Sequence, residues 1–226
     1  MPELTTKPNL RSATEIYERG LDELLSTVDP SSYYAVSEDG SRRQLPLRRW
    51  LRSVPEEEEM LLDRVVSPAL DVGCGAGRHL EALHQRGIEA TGVEVSRYAV
   101  AIARERAASV IHGSVFDVPG DPCWNTALLL DGNIGIGGEP ERLLTKIAEL
   151  LLPGGRILVE LEPPDVESRT LNIRLEGPGD ISEWFPWAWV SINAIDSVAG
   201  GTGLTAVDRW SVDGRWFAQL RLDPGA

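Results

Sequence analysis

Cysteine, histidine and long apolar runs are scarce in this sequence of 226 residues. It contains two cysteines and three histidines, and Cys74 and Cys123 lie far apart. Isolated cysteines form neither a disulfide framework nor the CxxC pair of a zinc site, so we predict no metal and a reducing, cytoplasmic environment. No apolar run approaches the roughly 20 residues that span a bilayer, and the N-terminal segment lacks the apolar core of a secretory signal, so we predict no membrane association.

Positive charge is also in short supply. The chain has 22 lysines and arginines against 35 aspartates and glutamates, a formal net charge of −13. A surface that follows a nucleic-acid backbone needs a basic stripe. The local basic cluster is small: Arg42, Arg43, Arg48, Arg49 and Arg52. The acidic run Glu56–Glu59 that follows predicts a solvated helix start. We therefore predict a small-molecule partner rather than nucleic acid.

Short apolar segments alternate with amphipathic ones between Pro68 and Leu161. Apolar runs bounded by turn residues predict strands, and apolar residues at helical spacing predict helices between them. This alternation predicts an α/β fold with a mostly parallel sheet covered by helices on both faces. Asp213-Gly214, between two further apolar segments, predicts an antiparallel C-terminal hairpin.

The residues before this region predict an N-terminal helical cap. Residues 14–25 carry apolar side chains at helical spacing, and Pro55 precedes a second segment of the same kind. Between them, residues 29–40 are rich in Ser, Asp, Pro and Gly, a composition typical of a loop.

A glycine-rich turn follows the first strand of the alternating region. Gly73, Gly75 and Gly77 alternate with other residues between an apolar strand and the start of a helix. Glycine lets the backbone turn sharply and approach a ligand, and the helix start offers free amide groups. A dinucleotide loop has the spacing G-x-G-x-x-G, which would require glycine where Arg78 stands. The spacing G-x-G-x-G therefore disfavours a nicotinamide dinucleotide.

The letters LDVGCGAG at residues 70–77 resemble motif I of the class I S-adenosylmethionine-dependent methyltransferases. The resemblance implies a Rossmann-like fold with a mostly parallel seven-stranded sheet and S-adenosylmethionine as the cofactor. It also implies that Gly73, Gly75 and Gly77 wrap the methionine and ribose portion of the cofactor. Asp71, which precedes these glycines, is counted among the cofactor-binding residues on the same ground.

Glu94 ends the next predicted strand. A carboxylate at that position can accept hydrogen bonds from both ribose hydroxyls. Class I methyltransferases place Asp or Glu there, so the resemblance implies a ribose contact. Because nicotinamide-dependent oxidoreductases share this feature, Glu94 predicts a ribose site without choosing the cofactor.

Two further segments agree with the resemblance. IHGSVFDVP at residues 111–119 resembles the family segment in which the two residues after glycine contact the adenine edge. Those residues are Ser114 and Val115 here. Because Ser114 replaces the usual acidic residue, Asp117 is the alternative partner for the adenine amino group. LLLPGGRILVE at residues 150–160 resembles the family's helix-turn-strand segment, whose role is structural.

The loop after the fourth predicted strand carries the candidate acceptor-binding residues. By the crevice rule for open parallel sheets this loop opens beside the first strand, and in the family it faces the transferred methyl group. Asp131 and Asn133 are therefore the candidate catalytic residues, and Asp131 is a candidate general base. Local hydrogen bonds that cap the turn are the alternative explanation.

The family places its acceptor lid in the N-terminal extension and after the fifth strand, here residues 1–55 and 162–190. Arg49, in the first of these segments, is a candidate for binding the methionine carboxylate. The aromatic stretch at residues 184–189 lies in the second. Its period of two places Trp187 and Trp189 on one strand face. Packing, a roof over the acceptor or a homodimer contact would each explain it.

Together these patterns predict methyl transfer from S-adenosylmethionine to a small-molecule acceptor by in-line displacement, in which proximity supplies most of the acceleration. Two alternatives stay open: a nicotinamide-dependent oxidoreductase, and a non-catalytic protein that binds S-adenosylmethionine as a regulator or partner. The predicted organisation is one domain over residues 1–226, made of a cap or lid (1–66), a cofactor-binding core (67–161) and an acceptor-side insertion with the C-terminal strands (162–226).

Overall fold

The computed structural model describes residues 8–26, 33–106 and 108–223. The first part of the chain forms three short strands and three helices: β1 Asn9–Arg11, α1 Ala13–Leu25, β2 Tyr34–Ser37, β3 Arg42–Gln44, α2 Leu47–Leu51 and α3 Glu56–Leu62. The central part alternates strands and helices: β4 Ala69–Val72, α4 Arg78–Gln85, β5 Ala90–Glu94, α5 Arg97–Glu105, β6 Ser109–His112, β7 Trp124–Leu129, α6 Pro140–Leu150 and β8 Leu151–Leu161. The last part consists of β9 Arg169–Gly177, β10 Asp180–Ser182, β11 Phe185–Trp189, α7 Ile195–Ala199, β12 Leu204–Val212 and β13 Arg215–Leu222.

Seven strands form a large sheet in the order β12-β13-β8-β7-β4-β5-β6. The pairs from β8 through β7, β4 and β5 to β6 are parallel, and β13 is antiparallel to both of its neighbours. Asp213 and Gly214 both have positive φ at the β12–β13 turn, as a two-residue hairpin turn requires. The predicted mostly parallel seven-stranded sheet with an antiparallel C-terminal hairpin is therefore confirmed.

The strand order reverses at β4, which positions the site. β5 and β6 lie on one side of β4, and β7 and β8 lie on the other. All four residues of β4 are buried, as expected for a strand covered on both faces. On α6, Leu143 and Ile147 are fully buried against one face of the sheet. The reversal opens a crevice at the carboxyl ends of β4 and β7, where ligands bind in open parallel sheets.

The predicted lid segments together form a second, smaller sheet. Its strands are β1, β10, β9, β2 and β3 in that order, and β11 pairs with β9 on a separate branch. Three of these strands, β1, β2 and β3, come from before α2. They join the later strands through the pairs β1–β10 and β2–β9, whose members are far apart in sequence. The prediction of a loop over residues 29–40 is wrong for β2, because pairing with β9 overrides the loop-like composition. Residues 29–32 lie outside the described residues.

The N-terminal cap is thus a mixture of helices and strands rather than helical throughout. Its main helix, α1, begins with a capping box in which Ser12 accepts from the Glu15 amide at 3.1 Å and Glu15 accepts from the Ser12 amide at 2.8 Å. Asp180 of β10 is 3% exposed and pairs with Arg11 and Arg19. The pair with Arg19 attaches α1 to the small sheet, and the pair with Arg11 joins β1 to β10 within that sheet.

No helix in the described part of the chain has the length and apolar composition that crossing a membrane would require. Among the same residues, no group of His, Cys, Asp and Glu side chains is arranged to hold a metal ion.

Candidate functional site

A cavity of about 670 Å³ lies between the carboxyl ends of the central strands and the small sheet. Residues that follow β4, β5, β7 and β8 line one side of it, and side chains of α1, α2, β2, β9 and β11 line the other. Both segments expected to form a lid, residues 1–55 and 162–190, contribute lining residues. The volume is within the range of small-molecule and cofactor sites.

The three glycines of the loop after β4 all adopt positive φ, at +70° for Gly73, +52° for Gly75 and +79° for Gly77. Added Cβ atoms would have different neighbours. At Gly77 a Cβ would lie 2.8 Å from Ala103, and at Gly73 it would lie 2.7 Å from Asn133 Nδ2. At Gly75 the nearest atom would be the Tyr17 hydroxyl, at 3.0 Å. The lack of a side chain therefore lets Asn133 and Ala103 pack closely against Gly73 and Gly77. At Gly75 it leaves space beside the loop that opens toward the cavity, and this space is called the glycine cradle below.

Glu94 lies at the end of β5, as expected, and joins that strand to the glycine loop. Its Oε2 accepts from the Gly75 amide at 3.0 Å and its Oε1 from the Ser96 amide at 2.8 Å. Burial raises the pKa of the Glu94 carboxyl, and the amide hydrogen bonds offset only part of that increase. Each carboxylate oxygen has a second lone pair, so Glu94 can also accept from ribose hydroxyls. The open cradle and this carboxylate fit S-adenosylmethionine.

The segment after β6 offers a narrower set of adenine contacts than predicted. Ser114 and Val115 line the cavity. The Ser114 hydroxyl accepts from the Phe116 amide at 3.2 Å, and Val115 is 4% exposed. Asp117 is exposed and does not line the cavity. We therefore withdraw Asp117 from the candidate adenine contacts.

Asp131 and Asn133 lie at the cavity, but both side chains already bind other parts of the protein. Asn133 Nδ2 donates to the carbonyls of Val72 at 2.8 Å and Gly73 at 3.0 Å. Both oxygens of Asp131 accept from Arg78, at 2.9 and 3.2 Å. Asn133 therefore connects the loop after β7 to the glycine loop, and Asp131 binds the Arg78 guanidinium.

Asp131 belongs to an ionic cluster under the cavity that the sequence analysis missed. The cluster consists of Glu58, Arg78, His79, Asp131, Glu160 and Arg215. Arg78 is 2% exposed, and its Nη1 lies 2.8 Å from Glu58 Oε2. Arg215 donates to both oxygens of Glu160, at 2.7 and 2.5 Å, and lies 2.8 Å from Glu58. The Asp131 amide donates to Glu160 at 2.6 Å.

The interpretation of Glu56–Glu59 as a solvated helix start is wrong for Glu58, which is 6% exposed. The Glu58 side chain on α3 contacts Arg78 and His79 in the first turn of α4 instead of water. Burial would raise the pKa of Glu58, but a hydrogen bond to His79 and the charges of Arg78 and Arg49 outweigh it and lower the pKa to about 2. The sequence feature that could have indicated this cluster is a charged residue at the end of an apolar strand, such as Glu160.

His79 is buried between two carboxylates. Its Nε2 lies 3.4 Å from Glu58 Oε2 and its Nδ1 lies 3.8 Å from Asp71 Oδ2. Burial opposes a charge on the ring, but Asp71 and Glu58 outweigh it and raise the pKa of His79 to about 9. His79 is therefore protonated at neutral pH. It links Asp71, which lies two residues before the glycine loop, to Glu58.

Arg49, the candidate for the methionine carboxylate, lies where the ionic cluster meets the cavity. Its Nη2 donates to Glu58 Oε1 at 3.0 Å and lies 3.6 Å from Asp131 Oδ1. The side chain is 34% exposed and lines the cavity. A guanidinium group carries five N–H donors, so Arg49 retains donors for a ligand carboxylate.

The side of the cavity opposite the glycine loop is an aromatic wall on β11, defined by Phe185, Trp187 and Trp189. These alternate residues share one strand face, as the period of two predicted for the tryptophans. Ile173 and Leu175 of β9 continue the apolar surface. Trp189 is 9% exposed, with the guanidinium groups of Arg43 and Arg169 at 3.9 and 4.7 Å from its ring centre. Trp184 is 46% exposed and does not line the cavity.

Comparison with known proteins agrees with this site. Residues 69–155 match the family model described as a methyltransferase domain. No curated protein matches the chain. An S-adenosylmethionine-dependent methyltransferase from Bacteroides fragilis, solved with S-adenosyl-L-homocysteine, is 20% identical with a TM-score of 0.78 and covers 95% of this chain and 98% of its own.

Two other solved structures are similar over less of the chain. The CcbJ methyltransferase from Streptomyces caelestis is 17% identical with a TM-score of 0.59, covering 77% of this chain and 92% of its own. The 1,6-didemethyltoxoflavin-N1-methyltransferase from Burkholderia thailandensis is 17% identical with a TM-score of 0.54, covering 73% of this chain and 74% of its own. Residues 69–155 are thus a methyltransferase domain within a class I fold. For this domain the predicted class, an S-adenosylmethionine-dependent methyltransferase, is confirmed.

Proposed function

We propose that the chain transfers a methyl group from S-adenosylmethionine to a small-molecule acceptor, with both molecules bound side by side in the cavity. The observation that carries this proposal is the glycine cradle with Glu94, which opens into the same cavity as the aromatic wall. A cavity volume of about 670 Å³ favours a small acceptor over a polymer. The 1,6-didemethyltoxoflavin in the name of the Burkholderia protein is such an acceptor.

In this proposal the cofactor is held mainly by backbone and carboxylate groups. Gly73, Gly75 and Gly77 shape the loop around its methionine and ribose portion, and Glu94 accepts from the ribose hydroxyls. Ser114 and Val115 face the adenine edge. Arg49 pairs with the methionine carboxylate, because its guanidinium retains donors at the edge of the cavity. Asp71 supports the loop from below through His79.

When bound, S-adenosylmethionine supplies a methyl group on a positively charged sulfur. The chain's own contribution is to align the acceptor with that group and to exclude water. We assign Asp131 and Asn133 to the acceptor side as positioning residues. The Asn133 amide holds the glycine loop, and the two arginines that bind Asp131 fix the loop after β7.

We treat the chain as one domain in which residues 1–55 and 162–190 close over the acceptor. The small sheet supports this view, because it takes strands from both segments and lines the cavity with β2, β9 and β11. Arg43 of β3 donates to Glu162 at 2.6 Å, which joins the two segments at the cavity edge. A lid made in this way excludes water from both ligands at once.

Calorimetry on the purified chain tests the proposal directly. S-adenosylhomocysteine and S-adenosylmethionine are expected to bind with one-to-one stoichiometry, and NAD is expected not to bind. Release of S-adenosylhomocysteine in the presence of a panel of small acceptors then measures turnover. Binding of NAD in preference to S-adenosylhomocysteine would overturn the proposal, whereas cofactor binding without turnover on any small acceptor would favour a non-catalytic binding protein.

A further inference from the structure

The aromatic wall lies beside the loop that must bring the acceptor to the methyl group. Trp187 pairs with Ile136 in an isolated bridge between β11 and the loop after β7. A Cβ on Gly135 would collide with the Trp187 indole, so this glycine lets the ring approach the loop closely. Asn133, two residues earlier, bonds to the glycine loop. The indole of Trp187 is therefore next to the place where the two ligands meet.

The wall has the geometry of a platform for a flat ligand. Phe185 and Trp187 contact each other edge to face, with ring centres 6.3 Å apart and an interplanar angle of 88°. Ile173 and Leu175 extend the apolar surface from the neighbouring strand. Aromatic rings prefer offset-stacked or edge-to-face partners, and two perpendicular rings offer a planar molecule both kinds of contact.

Each carboxylate that lines the described part of the cavity already has a partner, and that of Asp71 is His79. Asp131 and Glu160 bind arginines, Glu162 binds Arg43, and Glu94 accepts from two backbone amides. His79 is held protonated between carboxylates. Burial and nearby carboxylates raise the pKa of Tyr17, which keeps its hydroxyl neutral. Burial raises the pKa of Glu160 to about 7, but its oxygens accept from Arg215 and from the Asp131 amide. An acceptor that must lose a proton before reacting would therefore have to break an ion pair to reach a base.

We propose that the acceptor is a planar aromatic molecule that lies against Phe185 and Trp187 and reacts through an atom whose lone pair is free at neutral pH. An aryl amine, a heteroaromatic ring nitrogen and an ionised phenol meet this description. The lone pair forms a bond to the methyl carbon while the carbon–sulfur bond breaks and its electron pair stays on sulfur. After methylation a ring nitrogen carries the positive charge that was on sulfur, an aryl amine releases a proton to water, and a phenolate becomes a neutral ether.

This inference rests on the proposed function, so the test begins with S-adenosylhomocysteine binding. If that ligand does not bind, the proposed function fails and the inference fails with it. Protein saturated with S-adenosylhomocysteine is next titrated with 6-aminoquinoline and 4-nitrophenol, and with the saturated rings decahydroquinoline and cyclohexanol. The planar probes are expected to bind about tenfold more tightly than the saturated ones.

Two variants of the aromatic segment make the test specific. Trp187→Ala is expected to remove the preference for planar probes, and Trp187→Leu is expected to do so while preserving most of the side-chain volume. Trp184→Ala is the matched control, because Trp184 is exposed and outside the cavity; it is expected to bind all probes as the wild type does. Circular dichroism and S-adenosylhomocysteine affinity check that the variants fold.

Four results would overturn the inference while leaving the proposed function intact. They are equal binding of planar and saturated probes, no binding of any probe, an unchanged preference in folded Trp187→Leu protein, and turnover confined to aliphatic alcohols or amines. Turnover of planar aromatic acceptors that is lost in Trp187→Leu and kept in Trp184→Ala would support it.

Discussion

The two sides of the cavity are built in different ways. The cofactor side consists of short loops that follow neighbouring parallel strands, and its main contact, from the Gly75 amide to Glu94, joins residues 19 apart in sequence. The proposed acceptor side consists of side chains on a small sheet assembled from two segments distant in sequence, one holding β1 to β3 and the other β9 to β11. The ion pair at its edge, Arg43 with Glu162, joins residues 119 apart.

This difference predicts which side of the cavity tolerates amino-acid substitutions. Backbone amides and glycine conformations form the cofactor side, and few substitutions preserve them. Side chains that face the cavity from strands of the small sheet form the proposed acceptor side, where one side chain can replace another without altering the backbone pairing. Between the two lies the ionic cluster, which anchors the loop after β7 to both α3 and β13. The following predictions test how far the two sides behave independently.

The largest expected effect is on the cofactor side. Gly75→Val should abolish S-adenosylhomocysteine binding, because the side chain would fill the cradle next to Tyr17 and strain a backbone at φ +52°. Calorimetry measures the binding and circular dichroism the fold. Gly87→Val is the control for backbone strain, since Gly87 has φ +70° but no atom within 4 Å of an added Cβ. Normal binding by folded Gly75→Val protein would rule out the cradle.

The ionic cluster should be sensitive to loss of a single partner. Arg78→Met is expected to lower the free energy of unfolding by about 3–5 kcal/mol, because Glu58 and Asp131 would be left buried with less compensation. Denaturant titration measures this loss. Arg142→Met is the matched control, because Arg142 pairs with Glu139 on the surface and should change little. Similar stability of the two variants would show that the cluster is not buried as described.

Stability should also fall as pH rises through the range in which His79 titrates. Its pKa is about 9 in the folded chain against 6.5 for an ordinary histidine. A raised folded-state pKa adds stability that is complete below pH 6.5 and lost by about pH 9, on the order of 3 kcal/mol. Unfolding free energies measured across this interval should show the decline, and His79→Gln should flatten it. A flat wild-type profile would contradict the assignment of a protonated His79.

Removing the proposed ribose contact should have an intermediate effect on binding alone. Glu94→Ala is expected to weaken S-adenosylhomocysteine affinity by about 1.5–3 kcal/mol, the scale of hydrogen bonds to a charged group. Glu94→Gln should recover part of that loss, because an amide oxygen can still accept from a hydroxyl. If Glu94→Ala is folded and binds as tightly as the wild type, the ribose is bound elsewhere.

The smallest expected effect lies at the junction of the two sides. Asn133→Ala removes two hydrogen bonds, one to the end of β4 and one to the glycine loop, and should lower S-adenosylhomocysteine affinity by about 1 kcal/mol. Asn125→Ala is the control, because its amide donates to the Ser67 carbonyl at 2.7 Å away from the cavity. Unchanged affinity in Asn133→Ala together with reduced turnover would instead return Asn133 to a direct role on the acceptor.

The sequence by itself determined the large sheet, the glycine loop and the position of Glu94. Each of these depends on short-range patterns: apolar runs between turn residues, a strand-turn-helix with alternating glycines, and a carboxylate at the next strand end. Tertiary structure alone decided that Tyr34–Ser37, in a segment of loop-like composition, forms a strand paired with β9. It also decided that Glu58 is buried in ion pairs with Arg78 and Arg215 and not solvated. Strand partners and buried ion pairs between distant segments depend on which surfaces meet when the chain packs, and no local pattern of residues records that.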